Sequence, residues 1–186
     1  MNLVTARMTS GEDGAAVTFA GHRLAIPESM VHAKPEIKAY FGRDVILGIR
    51  PSDFEDASLT EQSWPTIPAV THVIEALGSE IHVIFVIDAP PVEHKDVADL
   101  GPQGEDDESA IPLHEGKSLW TARVSARSSV RAGDRIELGV DTRNMHFFDP
   151  DSGLAIGRKK ITDSRSVTSK QQSPDAEDTA SPKLAS

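Results

Sequence analysis

Residues 70–87 constrain this chain more than any other stretch. Two apolar arms, Val70 to Leu77 and Glu80 to Ile87, flank a Gly78-Ser79 pair. The apolar positions alternate instead of recurring every three or four residues, and a two-residue Gly-Ser link between such arms is a hairpin signal. In the second arm Ile81, Val83, Phe85 and Ile87 share one face, while Ile84 and Val86 occupy the other. This predicts a strand covered on both sides, in a core or at an interface.

The neighbouring segments read the same way. Val4, Ala6 and Met8 alternate, Asp13-Gly14 marks a tight turn, and Val17 with Phe19 and Leu24 with Ile26 follow around Gly21-His22. That is a three-strand meander. Pro35 is suited to a helical first position, and Ile37, Tyr40 and Phe41 fall at helical spacing before Gly42. Residues 43–50 alternate with Val45, Leu47 and Ile49 inward, and Pro51 ends that strand. Residues 119–124 and 135–140 give two more strands, with an Ala132-Gly133-Asp134 turn between them. Phe147-Phe148, an Asp149 to Gly153 turn and residues 154–156 close the pattern. Eight to ten short strands with one short helix predict an all-β fold, a small Greek-key barrel of antiparallel strands.

Two regions lack that pattern. Asp88-Ala-Pro-Pro91 stops a strand, and residues 88–118 carry 2 basic and 9 acidic groups, including Glu105-Asp106-Asp107-Glu108. They read as an acidic insertion loop without the spacing of a calcium-binding hand. Residues 157–186 hold almost no large apolar side chain and read as a disordered tail. The predicted domain is therefore 1–156.

Charge and composition exclude several functions. The net charge is −10 and aromatics are 5% of residues, which opposes a nucleic-acid groove. There are no cysteines, so thiol catalysis and cysteine-held metals are excluded. No apolar run approaches the ~20 residues of a spanning helix, and the first twenty residues have no secretory pattern, so the expected compartment is the cytoplasm.

No phosphate loop, dinucleotide fingerprint or nucleophile elbow occurs in the sequence. His72 and His82 can meet across the hairpin with Glu75 or Glu80, but histidines so placed are more often cross-strand partners than metal ligands. Arg123, Arg127 and Arg131 with Ser128 and Ser129 form a candidate oxyanion cluster, the basis of an alternative reading as a small-ligand sensor. Asp134, Asp141, Asp149 and Asp151 each lie beside a turn, where Asp satisfies backbone N–H groups. The residues themselves point to a binding or interaction domain without catalysis.

Three segments resemble one family. Val45-Ile-Leu-Gly-Ile-Arg-Pro-Ser-Asp-Phe54 is similar to an "LGIRPE" signature, with Ser52 at the usual Glu position. Glu75-Ala-Leu-Gly-Ser-Glu-Ile-His-Val83 is similar to an "E-x-LG-x-E" hairpin, and residues 133–156 resemble a closing segment. Together they resemble the C-terminal regulatory OB/TOBE region of the ATP-binding subunits of sugar-type ABC importers, the maltose, trehalose and glycerol-phosphate group, most like the trehalose type. The resemblance implies a regulatory and dimerisation domain. Its partners would be a second copy, the importer's membrane subunits and a regulatory protein, at the inner face of the plasma membrane. ATP and magnesium would belong to a nucleotide-binding domain that this sequence does not contain, so no cofactor is expected here. The motif residues it singles out are Gly48, Arg50, Pro51, Glu75, Gly78, Glu80, Phe148 and Asp149.

Overall fold

A computed structural model describes residues 1–60, 63–92 and 116–157. The tail and most of the acidic insertion, including the 105–108 run, lie outside the described residues. Ten strands are present among those described: β1 (Asn2–Gly11), β2 (Gly14–Phe19), β3 (His22–Ala25), β4 (Asp44–Ile49), β5 (Phe54–Asp56), β6 (Thr66–Ala76), β7 (Glu80–Ile87), β8 (Ser118–Ser125), β9 (Arg135–Val140) and β10 (His146–Phe148). They form two five-stranded antiparallel sheets, ordered β10-β4-β1-β2-β3 and β5-β9-β6-β7-β8. This all-β arrangement agrees with an OB fold. No helix among the described residues is long and apolar enough to cross a membrane.

Alternation decides which faces meet. Val4, Ala6 and Met8 of β1, Val45, Leu47 and Ile49 of β4, and Trp120, Ala122 and Val124 of β8 all point into one core fed by both sheets. Trp120 joins the two sheets: it stacks on Phe19 at 5.6 Å and takes the edges of Phe54 and Phe85 at 6.4 and 6.1 Å.

Strand β6 is where the second sheet bends. Thr66 to Val70 pair with β9, and Thr71 to Ala76 pair with β7, with a register shift between Thr71 and Val73. The Thr71 N–H donates to the Asp134 carbonyl at 2.9 Å, the Gly133 N–H donates back to Thr71 at 2.8 Å, and the Thr71 hydroxyl donates to Arg131. A bulge supported this way turns one long strand between two partners. Strands β8 and β9, adjacent in sequence, are thus not neighbours: β8 pairs with β7 and β9 with β5 and β6.

The gap between the sheets is closed on one side by side chains. Asn2 Nδ2 donates to the Thr121 carbonyl at 2.8 Å, and the Thr121 N–H donates to Asn2 Oδ1 at 2.9 Å. One side-chain amide therefore does for β1 and β8 what a backbone pair does within a sheet. Further along, Glu55 Oε1 accepts from the Ser125 N–H at 2.9 Å, joining β5 to β8.

The sequence reading needs four corrections. The helical segment after Pro35 is a 3-10 helix, Pro35–Tyr40, and a short α-helix α1, Glu28–Ala33, precedes it. Pro51 does end β4, but it also begins a 3-10 turn, Pro51–Asp53, that leads into the three-residue β5. The insertion is bounded more tightly than 88–118, because Ala89 is buried and Ser118 already belongs to β8. Strand β7 is fully buried on one face only; Ile84 and Val86 are partly buried.

Candidate functional site

The predicted motif residues fall into two groups on different sheets, not into one constellation. Gly48, Arg50, Pro51, Phe148 and Asp149 belong to the end of β4 and to β10 with its following turn. Glu75, Gly78 and Glu80 belong to the β6–β7 hairpin.

In the first group, Gly48 lies opposite both Leu3 and His146. A methyl group placed on it would stand 2.8 Å from Met1 Sδ and 3.1 Å from Phe148 Cε2, so glycine lets these apolar side chains close over the strand. Arg50 is exposed, and its N–H donates to Asp53 Oδ2 at 3.3 Å. Burial raises the pKa of Asp53, while Arg50 opposes that rise. Asp149 is structural: Oδ1 accepts from the Ser152 hydroxyl at 2.7 Å and the Ser152 N–H at 2.8 Å, and Oδ2 accepts from the Tyr40 hydroxyl at 2.9 Å. These bonds hold its carboxyl below the usual range and tie the closing turn to the 3-10 helix.

The second group borders an apolar surface. Gly78 has φ +84°, the left-handed geometry that a tight turn needs. Along the outer face of β7 the residues run Glu80, His82, Ile84, Val86. Facing them on β8 are Ser125, Arg123, Thr121 and Leu119. Glu80 Oε1 lies 3.1 Å from His82 Nε2, and Arg123 Nη1 lies 3.4 Å from Glu80 Oε2. One end of the strip is therefore a charged network, and the other end is apolar: Ile84, Val86 and Leu119, with Val73 opposite Ile84 on β6. Leu119 is 38% exposed. Val73, Ile84 and Val86 are partly buried. Glu75 is exposed, opposite His82.

The other candidates find different roles. His82 is engaged with Glu80, and among the described residues no three acidic or histidine groups converge on a metal position. In the arginine–serine cluster, Ser128 turns inward. Ser128 is buried and its hydroxyl donates to Asp56 Oδ2; Ser58 donates to Asp56 Oδ1 from N–H and hydroxyl at 2.9 and 2.7 Å. Burial is the largest single influence on Asp56 and disfavours its charge, but the serine bonds together bring its pKa below normal. A stable carboxylate beside Ser128 repels an incoming oxyanion.

The polar side chains that close the fold, Asn2, Glu55 and Asp56, carry no motif and went unread in the sequence. Their one visible signal is negative: a short polar residue begins an otherwise alternating strand at Asn2.

Residues 1–54, covering the first sheet's β1 to β4 and the Pro51 turn, match the MalK OB fold domain family. The chain is 34% identical over 165 residues to the trehalose import ATP-binding protein SugC of Mycobacterium tuberculosis, covering 84% of this chain and 38% of that protein. It is 28% identical over 158 residues to the oligosaccharides import ATP-binding protein MsmX of Bacillus subtilis, and 28% over 159 residues to the trehalose/maltose import ATP-binding protein MalK of Thermococcus litoralis; each match covers 84% of this chain and 34% of the relative. The chain thus spans little more than a third of the length of these relatives. Residues 1–54 are thus similar to a MalK-type OB fold domain, and most of the chain is similar to part of the ATP-binding subunits of sugar importers.

Proposed function

We propose that this chain is the regulatory and dimerisation domain of the ATP-binding subunit of a carbohydrate ABC importer of the trehalose type, without catalysis of its own. The observation that carries the reading is the partly exposed apolar strip of Val73, Ile84, Val86 and Leu119 beside the Glu80–His82–Arg123 network. An apolar centre with a charged rim is the anatomy of a protein interface. A second copy of the domain is its partner in this reading, and the similarity to importer subunits supports it. Such contacts hold two subunits together while other domains move, because a tethered second contact gains effective concentration. The subunit would act with membrane partners at the inner face of the plasma membrane and answer to a regulatory protein.

Sedimentation equilibrium tests this. The chain should be dimeric at high micromolar concentration, and Ile84→Lys with Val86→Lys should give a folded monomer. A wild-type chain that is monomeric at that concentration, or a dimer that the double variant leaves intact, would overturn the assignment of this face.

A further inference from the structure

His146 opens β10, the three-residue edge strand of the first sheet. Its Nε2 is sealed from solvent and has no hydrogen-bond partner among the described residues. A buried polar atom without a partner is uncommon and costly. The charged groups facing the ring come from three elements. Arg50 follows β4, Lys34 joins α1 to the 3-10 helix, and Asp53 ends the Pro51–Asp53 turn. Neither Arg50 nor Lys34 has an ion-pair partner among the described residues. The Lys34 stem runs beside Gly157, whose added Cβ would lie 2.8 Å from it. The one carboxylate facing the ring, Asp53, is itself buried.

Protonation turns both ring nitrogens into donors. Here it adds a charge with no acceptor waiting at Nε2, beside two cations. Burial, then Arg50 and Lys34, disfavour that proton, and Asp53 favours it only in part. The charge is relieved when the ring reaches water. The element that must yield is small: β10 pairs with β4 at three positions, His146↔Gly48, Phe147↔Leu47 and Phe148↔Ile46. On its other side it has a single bridge, Phe148↔Ala155, and the Ile156 N–H bond to Phe147 at 2.8 Å.

We propose that His146 is an acid-responsive latch for the closing segment 146–156. When neutral, it lets β10 seat on β4; when protonated, it drives β10 off, uncovering Phe147, Met145 and Ile156. Phe147 and Met145 are 1% exposed in the closed form, so release converts a proton into an exposed apolar surface. The proposal does not depend on the importer reading.

Amide exchange of the full chain, corrected for intrinsic rates, tests it between about pH 7.5 and about pH 5. The opening constant at Phe147 and Ile156 should rise by more than about twofold on acidification, while Val4 and Ala6 in β1 stay unchanged. In His146→Phe the rise should vanish. Lys34→Gln, a surface change that keeps the fold, should shrink it, because one opposing cation is gone. An NMR titration should place the His146 midpoint below the ordinary histidine value of about 6.5. A flat wild-type opening constant, an equal rise in His146→Phe, or a His146 midpoint at or above the ordinary value of about 6.5 would overturn the latch.

Discussion

Replacing Asn2 tests whether the side-chain bond between the sheets stabilises the fold. In Asn2→Leu the branched shape is kept, with bulkier methyl ends, but both bonds to Thr121 are lost. The Thr121 N–H and C=O are then left without partners at a seam that is only partly buried. An unsatisfied buried group costs about 1–3 kcal/mol, and partial access of water puts each at the lower end, giving about 2–3 kcal/mol for the pair. Against a domain stability of about 5–15 kcal/mol this is a large loss. In urea, with a slope of about 1–3 kcal/mol/M, the unfolding midpoint should fall by roughly 1 M at unchanged slope. Asn2→Asp adds a check with its own sign. One oxygen still accepts from the Thr121 N–H, but the other now faces the Thr121 carbonyl. That contact raises the folded-state pKa of the new carboxyl, so the variant is most stable below its unfolded pKa and loses stability as pH rises through the folded value. A loss below about 0.5 kcal/mol in Asn2→Leu, or an Asn2→Asp variant that gains stability relative to wild type as pH rises, would refute the reasoning.

Other perturbations probe separate elements. Gly48→Ala should destabilise by about 1–3 kcal/mol in thermal unfolding, because the methyl meets Phe148 Cε2 at 3.1 Å on a crowded face where the flexible Met1 alone can give way. Ala20, at φ +45° in the β2–β3 turn, is a non-glycine residue in the left-handed region; Ala20→Asn should stabilise by up to about 1 kcal/mol in urea unfolding. The Asp56 pKa is lowered in the folded state, so its contribution is present above the unfolded carboxyl value and disappears as pH falls through the folded one. Ser128→Ala should flatten that acid dependence of the unfolding midpoint. Tyr40→Phe should cost about 1 kcal/mol and loosen the 149–153 turn, seen as faster exchange of the Ser152 amide.

Much of the sheet was legible because its signals are local. The β1–β3 meander follows from alternation and from two turns whose glycines, Gly14 and Gly21, take positive φ. The β6–β7 hairpin follows from Gly78 in the same way. What escaped depends on partners far along the chain. Strand β5 is three residues with no period, and it exists because β9 supplies a ladder for Phe54 to Asp56. The α1 helix is one turn and a half, below the length at which periodicity can be counted. Ile84 and Val86 looked buried because sequence shows apolarity, not what covers it. The inward turn of Ser128 was hidden for a related reason: nothing in the order of residues announces that Asp56 sits beside it.

The register of β7 with β8 has a consequence of its own. Ile87 stands directly opposite Ser118, and the Ser118 hydroxyl donates to the Ala89 carbonyl at 3.0 Å. The chain therefore leaves and re-enters the sheet through one clamped gateway, whatever lies between. Selection on the intervening sequence is decoupled from selection on the barrel, since a longer path between fixed ends costs only a logarithm of its length. The domain can acquire, lose or exchange an entire appendage there without relearning how to fold.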